Sequence, residues 1–151
     1  MMGFNIVLIE PEIPMNTGNI GRLSLASGSA LHLVKPFGFE LVDKRLKRAG
    51  LDYWKYLSVN IYENIEDFFF KNKEANMVYF SSSATKNYTT INFQDNMFFL
   101  FGKESVGLSK EIMSENLDKL YKIPIYTKYV RSLNLANAVS IVVYEAIRNL
   151  K

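Results

Sequence analysis

The sequence lacks cysteine altogether and has a single histidine among its 151 residues. Without thiols the chain cannot form disulfides, build a cysteine-based zinc site or use thiol catalysis. One imidazole is also a poor basis for a zinc site or a Ser-His-Asp triad. His32 lies in a predicted strand with no acidic residue beside it, so we expect it to have a structural role.

Long apolar runs are absent as well, and none approaches the roughly 20 residues of a membrane-spanning helix. The first apolar run, Phe4–Ile9, has the length of a strand and no basic residues before it, which is not the pattern of a signal peptide. Together with the lack of cysteine, this leads us to expect a cytoplasmic protein with no membrane partner.

The charge is nearly balanced, with 18 Lys and Arg against 15 Asp and Glu, a net charge of +3. Such an excess permits an RNA partner but does not require one. With 48% hydrophobic and 22% charged residues, the chain can bury a full core. Its length fits a single domain over residues 1–151, and we see no internal repeat or linker.

Short apolar runs alternate with helical patterns along the chain. The predicted strands are Phe4–Ile9, Leu31–Val34, Met77–Phe80, Phe98–Phe101 and Leu120–Ile125. The predicted helices cover a segment from Asn16 or Thr17, as cap, to the terminator Gly28, then Asp43–Gly50, Asn64–Lys71, Ser109–Leu117 and a final helix. This alternation predicts an α/β fold whose mostly parallel sheet has helices on both faces.

The final helix has the clearest pattern. Its apolar residues recur at the spacing of one buried stripe: Leu135, Val139, Val142, Val143, Ala146, Ile147 and Leu150. We expect Ser132 or Asn134 to cap it. Leu51–Val59 and Ile61-Tyr62 fit either a strand or irregular chain, and we expect the aromatic run Phe68-Phe69-Phe70 to be core.

Polar loops follow the predicted strands at residues 81–87, 102–107 and 130–134. Because the carboxyl ends of parallel strands share one edge of a sheet, these loops can form a ligand crevice. Gly102 and Gly107 would let the backbone approach a ligand, although a plain strand-to-helix turn explains them equally. The sequence has no dinucleotide fingerprint, and Leu108-Ser109 stands where a P-loop has its Lys-Ser/Thr pair.

Three side chains are candidates for chemistry at this crevice. Arg22 lies one turn inside the predicted first helix, where it could hold a phosphate or simply face solvent. Ser132 and Asn134 can each donate and accept hydrogen bonds, and helix capping is the alternative role for both.

A basic segment lies between the second and third predicted strands. It contains Lys44, Arg45, Lys47 and Arg48, and Tyr53 and Trp54 follow it. Basic residues on one helical face next to aromatic rings can bind a phosphate backbone and stacked bases. A solvated charged helix has the same pattern.

Three stretches resemble the motifs of the SPOUT RNA ribose methyltransferases. They are Asn16-Thr17-Gly18-Asn19-Ile20-Gly21-Arg22, then Phe101–Leu108, and Ile123-Pro124 followed by Arg131–Val139. The segment Asp43–Tyr53 and the short chain are similar to the TrmL-type branch, which methylates the wobble nucleotide of tRNA. The resemblance covers essentially the whole chain.

This resemblance implies a fold, a cofactor and partners that composition and periodicity do not reveal. The C-terminal segment would thread through a loop to form a deep trefoil knot, an exception to the usual chain topology. The protein would be a homodimer that binds S-adenosylmethionine, without a metal, and acts on the anticodon loop of tRNA. The product would be a 2′-O-methylated nucleotide 34, and S-adenosylhomocysteine would be released.

The resemblance also assigns roles to individual residues. Gly102, Ile123, Ser132 and Ser83 would contact the methyl donor, with Ser82 nearly as good a match as Ser83. Arg22 matches the catalytic arginine, and Ser132 and Asn134 match polar residues of the active site. Asn16 and Glu104 match motif positions without a fixed role, and we place Asn16 with the basic segment near the RNA. Lys103 replaces an expected proline, and Gly21 a larger aliphatic residue.

Arginine is normally always protonated, so Arg22 is a poor candidate for the base that deprotonates the ribose hydroxyl. We expect it instead to hold the substrate phosphate and to stabilise the developing alkoxide. Other functions fit the same sequence. They are an RNA-binding dimer of this fold without activity, a methyltransferase for another RNA nucleotide, and a small-molecule methyltransferase.

Overall fold

A seven-stranded parallel sheet forms the centre of the computed structural model, which describes residues 3–41, 44, 48 and 53–150. The strands are β1 (Asn5–Ile9), β2 (Ala30–Val34), β3 (Val59–Tyr62), β4 (Met77–Phe80), β5 (Lys86–Asn87), β6 (Phe98–Phe101) and β7 (Leu120–Lys122). Their order across the sheet is β3-β2-β1-β6-β4-β7-β5, and every described pair is parallel. The prediction of an α/β fold with a parallel sheet is therefore confirmed.

Four helices can be delimited in the described part of the chain: α1 (Pro14–Ser27), α2 (Ile65–Lys71), α3 (Lys110–Glu115) and α4 (Leu135–Leu150). Single 3₁₀ turns cover Trp54–Tyr56, Tyr88–Thr90 and Leu117–Lys119. Helix α1 packs against α4 on one face of the sheet. Apolar residues of α2 and α3 pack on the other face.

Alternate residues of the central strands point into two separate apolar clusters. In β1, Ile6 and Leu8 join the cluster beneath α1 and α4, whereas Val7 and Ile9 join the cluster beneath α2 and α3. Both faces of the sheet are covered, which explains why these strands are apolar throughout rather than alternating. The stripe predicted in the last helix is confirmed, because Val139, Val142 and Val143 are fully buried.

The start of α1 differs from the prediction. The helix begins at Pro14, where proline fits because the first turn needs no backbone N–H donor, and not at Asn16 or Thr17. Asn16 and Thr17 are buried inside the helix, and its N-cap residue Ile13 makes no side-chain cap bond. The predicted end is confirmed, since Gly28 adopts a left-handed conformation with φ of 69°.

Other boundaries were predicted with mixed success. Asn64 caps α2 as predicted, by accepting a hydrogen bond from the Asp67 backbone N–H at 2.7 Å. The last strand is shorter than Leu120–Ile125 and ends at Lys122. Phe68 is fully buried, but Phe70 is 67% exposed, so the expectation of a three-phenylalanine core was wrong for Phe70.

The sheet also contains a short edge strand, β5, inside the loop predicted at 81–87. In the basic segment, Lys44 and Arg48 are helical and exposed. Asp43, Arg45, Lys47 and Gly50, which belong to the same predicted helix, lie outside the described residues. The threading of the C-terminal segment into a knot stays a prediction.

His32 has the structural role expected of it. It is buried in β2, where its Nε2 lies 2.9 Å from Oδ1 of Asn5 and its Nδ1 lies 2.8 Å from the Tyr62 hydroxyl. Because Oδ1 of Asn5 can only accept, Nε2 carries the proton and Nδ1 accepts from Tyr62. Burial lowers the pKa of His32 to about 4.

Within the described ranges, no helix has the length and apolar character needed to cross a membrane. The same residues contain no cluster of three or more His, Cys, Asp or Glu side chains that could hold a metal ion.

Candidate functional site

A cleft of about 560 Å³ opens at the carboxyl ends of β4, β6 and β7. Its walls come from the loops after these strands and from the loop that leads into α4, as predicted from the order of polar loops. The residues that line it include Phe80, Ser82, Phe101, Gly102, Glu104, Ile123, Ile125, Arg131, Ser132 and Asn134. The lining therefore combines apolar side chains with hydroxyl, amide and charged groups and with the backbone at Gly102.

The loop after β6 is folded back on itself. The Gly107 N–H donates to the Lys103 carbonyl at 2.8 Å, and these two residues form an isolated antiparallel bridge. The fold-back brings the chain over Gly102, where a Cβ atom would lie 2.1 Å from the carbonyl carbon of Gly107. Only glycine fits at position 102, because a side chain there would collide with backbone. Gly107 itself has φ of 74° with open space around it.

The Glu104 carboxylate fastens this loop to the start of α1. Its Oε1 accepts a hydrogen bond from the Glu12 N–H at 2.8 Å, and its Oε2 accepts from the Ile13 N–H at 2.9 Å. The side-chain amide of Asn16 donates to Oε2 at 3.2 Å. A carboxylate that accepts backbone N–H groups at a helix N-terminus is doubly favoured, by charge-assisted hydrogen bonds and by the helix dipole. Glu104 thus provides the cap that α1 lacks locally.

Two further contacts hold the same pair of loops together. The Ser105 N–H donates to Oε1 of Glu12 at 2.8 Å, and this hydrogen bond is the main reason that the pKa of Glu12 is lowered. Lys103 pairs with Glu10 at 2.8 Å, and its hydrogen bond to Glu10 raises the pKa of Lys103. Lys103, which stands where the resemblance led us to expect proline, therefore contributes an ion pair to the junction.

Asn134 joins the third loop to this junction. Its Nδ2 donates to Oδ1 of Asn16 at 3.0 Å, while its own Oδ1 accepts from the Asn137 N–H at 3.1 Å. Asn134 is thus both the N-cap of α4, as predicted, and a hydrogen-bond partner of α1. A continuous series from Glu104 through Asn16 to Asn134 links all three sequence motifs at the rim of the cleft.

Most residues predicted for the site are brought together by the fold. Asn16, Gly102, Ile123, Ser132 and Asn134 all line the cleft. In the loop after β4, Ser82 lines the cleft, whereas the Ser83 hydroxyl lies 2.9 Å from Oγ of Ser81 and 3.8 Å from Sδ of Met113. Ser81 and Ser82 therefore line the cleft, and Ser83 does not.

Arg22 lies elsewhere. It is exposed on α1 and does not belong to the cleft lining. Arg22 lies six positions after Asn16, which places it about 9 Å further along the helix and about 120° around its axis. Asn16 faces the Glu104–Asn134 junction, so Arg22 faces away from it. Within the single chain, Arg22 therefore does not lie in the cleft with Ser132 and Asn134.

Some site residues were not singled out from the sequence. Glu10 and Glu12 hold the loop after β6, and Arg131 and Ile125 line the cleft, but none of the four was a candidate from the sequence. Residues 10–15 contain two prolines, which is typical of a simple connecting loop. The acidic residue on either side of Pro11 was the available signal, because acids before a helix start can hold a partner loop.

Known proteins with similar sequences identify the family of this chain. A sequence profile of the SpoU rRNA Methylase family matches residues 3–144. A tRNA (cytidine(34)-2′-O)-methyltransferase from Saccharophagus degradans is 44% identical over 148 residues, which are 97% of this chain and 96% of that protein.

Two solved structures extend the comparison. One, described as "Structural insights into the 2-OH methylation of C/U34 on tRNA", is 39% identical with a TM-score of 0.94, and the match covers 99% of this chain and 97% of that one. An AdoMet-bound rRNA methyltransferase from Sinorhizobium meliloti is 26% identical with a TM-score of 0.88. That match covers 99% of this chain but 57% of the other.

Proposed function

The chain belongs to the SpoU rRNA methylase family, and we propose that it transfers a methyl group from S-adenosylmethionine to the ribose 2′-hydroxyl of nucleotide 34 of tRNA, a cytidine or a modified uridine. The main support comes from two observations that agree. The chain is similar over almost its whole length to a tRNA (cytidine(34)-2′-O)-methyltransferase, and its cleft brings the three motifs together.

The cleft suits S-adenosylmethionine in size and in chemistry. Its volume of about 560 Å³ lies within the range of small-molecule sites. Phe80, Phe101 and Ile123 offer apolar surface for a flat adenine ring. The loop from Gly102 to Gly107 offers bare backbone, which only glycine at 102 permits. When bound, S-adenosylmethionine supplies an electrophilic methyl group on a sulfonium.

The residues of this chain would then position and activate the acceptor. Ser132 and Asn134 lie at the rim of the cleft, where their polar groups can orient a ribose hydroxyl by hydrogen bonds. Arg22 carries a fixed positive charge, which can hold a phosphate and stabilise the alkoxide as the hydroxyl loses its proton. Lys44 and Arg48, which are both helical and exposed, would bind the RNA backbone, together with Arg45 and Lys47.

We further propose that the active unit is a homodimer in which Arg22 of one copy serves the cleft of the other. Arg22 faces away from its own cleft, so a second copy is the direct way to bring it to Ser132 and Asn134. Apolar side chains around α1 and α4 are exposed and would be covered by such a partner: Ile13, Met15, Leu133, Ile141 and Tyr144.

Calorimetry with S-adenosylmethionine tests the cofactor. We expect saturable binding to the wild-type protein and to Arg22→Ala, because Arg22 lies outside the cleft. No saturable binding to the folded wild type would refute the methyltransferase and leave the inactive RNA-binding dimer.

A mixing experiment tests the shared site. Arg22→Ala and Asn134→Ala should each be nearly inactive alone. After subunit exchange, half of the dimers would carry both variants, and one of their two sites would be intact. About a quarter of wild-type activity should return. No recovery on mixing, despite exchange, would show that Arg22 acts within its own chain.

A further inference from the structure

Arg22 lies against an aromatic ring of a neighbouring turn. Its guanidinium carbon is 5.0 Å from the centroid of the Tyr53 ring, within the range of a cation–π contact. Tyr53 is 37% exposed and Arg22 is exposed as well, so the contact lies at the protein surface, where RNA could reach it. Arginine is the side chain most often found in such contacts, and its planar group can stack on an aromatic face.

The turn that carries Tyr53 is itself fixed. Tyr53 precedes the 3₁₀ turn Trp54–Tyr56, in which the Tyr56 N–H donates to the Tyr53 carbonyl at 2.9 Å. The Leu57 N–H donates to the Trp54 carbonyl at 3.1 Å. These backbone hydrogen bonds fix the point on the turn from which the Tyr53 side chain extends.

Gly21 is what lets this turn lie directly on α1. A Cβ atom at Gly21 would come within 2.8 Å of Cζ3 of Trp54 and 3.0 Å of Cδ1 of Leu57. The Trp54 ring thus occupies the space that a side chain at position 21 would fill, and it packs against the core beneath α1. The departure from the family pattern at Gly21 and the adjacent Arg22 are parts of one arrangement.

The face of a ring holds a guanidinium without neutralising it. A carboxylate would occupy the N–H groups and cancel the charge, whereas a stacked ring leaves all five N–H donors free at the edge. An arginine that must hold a phosphate and stabilise an alkoxide needs that combination: a fixed position, a full charge and free donors.

We propose that Tyr53 is a positioning residue for Arg22. Its ring, held on α1 by the contact of Trp54 with Gly21, orders the guanidinium before RNA binds. Tyr53 and Arg22 belong to the same chain, so they would be presented as one unit to the cleft of the second copy. This role rests on the function proposed above for Arg22.

The test compares single-turnover methylation of tRNA by variants at position 53. Tyr53→Phe keeps the ring and should stay within about twofold of wild type, whereas Tyr53→Leu should be slower by about fivefold or more. Affinity for S-adenosylmethionine should not change in either variant. Tyr56→Leu is the matched control, because Tyr56 lies in the same turn, is 67% exposed and should give the wild-type rate.

A double-mutant cycle identifies the route of the effect. In the Arg22→Ala background, Tyr53→Leu should slow the reaction no further. A wild-type rate for Tyr53→Leu, or an equal loss in both backgrounds, would overturn the positioning role. If Tyr53→Leu does not fold, a phenylalanine with a fluorinated ring at position 53 keeps the shape and weakens the ring face. It should lower the rate relative to Tyr53→Phe, and an equal rate would overturn the role.

The outcomes separate this inference from the proposed function. If wild type does not methylate tRNA, the proposed function fails. If wild type methylates, Arg22→Ala does not, and Tyr53→Leu matches wild type, only the role of Tyr53 fails.

Discussion

The side-chain amide of Asn134 donates a hydrogen bond of 3.0 Å to Oδ1 of Asn16, a residue 118 positions earlier in the chain. The direction of this bond is fixed, because the Nδ2 of Asn16 is already committed to the Glu104 carboxylate. Reversing the Asn16 amide would turn its oxygen towards that carboxylate. Three motifs that are distant in sequence are therefore held in one relative orientation.

Asn134→Asp separates the two roles of this residue. Aspartate can still accept from the Asn137 N–H and cap α4, but it cannot donate to Asn16. We expect helix content to be unchanged and the free energy of unfolding to fall by about 1–2 kcal/mol, measured by urea denaturation. Asn137→Asp adds the same charge at an exposed position in the first turn of α4 and should leave the free energy of unfolding unchanged. Equal stability of the two variants would contradict the link.

Glu104→Gln tests the carboxylate that joins the loop after β6 to α1. Glutamine keeps one acceptor oxygen, but its NH₂ group replaces the second oxygen. That group would face N–H donors and could not accept their hydrogen bonds. We expect a loss of about 1–3 kcal/mol in the free energy of unfolding and weaker binding of S-adenosylmethionine by calorimetry. Glu111→Gln removes an exposed charge from α3 as the matched control. A wild-type stability for Glu104→Gln would show that the three hydrogen bonds contribute nothing net.

Two glycines of the same loop should respond differently to alanine. At Gly102 the new Cβ would collide with backbone at 2.1 Å and 2.2 Å, so the loop must open. At Gly107 there is open space, and the cost is limited to the left-handed conformation, about 1–2 kcal/mol. Gly102→Ala should therefore be the less stable variant and should lose cofactor binding, as measured by thermal denaturation and calorimetry. If Gly107→Ala were the less stable variant, the loop could not fold back over Gly102.

His32 should remain neutral well below its ordinary pKa of 6.5, because burial lowers the pKa to about 4. The unfolded chain takes up its proton near pH 6.5, so this group stabilises the fold fully above that pH. The contribution is lost as pH falls from about 6.5 to 4, by about 3 kcal/mol in total. As the single histidine, it gives one imidazole signal for NMR titration. A measured pKa near 6.5 would show that the His32 imidazole is not buried as the structure has it.

His32→Gln provides the matched thermodynamic control, since carboxylates also titrate in this range. The variant cannot titrate at position 32, so its stability should fall less than that of wild type between pH 7 and pH 4.5. Parallel pH profiles for the two proteins would show that His32 contributes no pH dependence.

Local patterns predicted the elements whose cause is local. The strand Phe98–Phe101 and the buried stripe of α4 were predicted correctly, because the burial of their side chains determines the spacing of apolar residues. The same reasoning placed the cap of α1 on Asn16 or Thr17, which was wrong because Glu104 supplies it from 88 to 92 residues away. No local signal records a cap that comes from another loop.

The candidate site was predicted in part. Gly102, Ser132 and Asn134 were expected at a crevice because they lie in loops at the carboxyl ends of parallel strands, whereas Ile123 was named only by the resemblance. All four residues line the cleft. The orientation of Arg22 did not follow, because it depends on which face of α1 packs against α4. The packing of Trp54 against Gly21 could not be predicted either, since it is a contact between segments more than 30 residues apart.

Mapping the transferred methyl group tests the central claim most directly. The protein is incubated with tRNA and S-adenosylmethionine carrying a labelled methyl group, and the RNA is then digested and its nucleosides identified by mass spectrometry. The proposed function predicts one label, on the ribose 2′-oxygen of nucleotide 34, and its loss with Arg22→Ala. Label on a base, on another nucleotide, or on no RNA at all would contradict it.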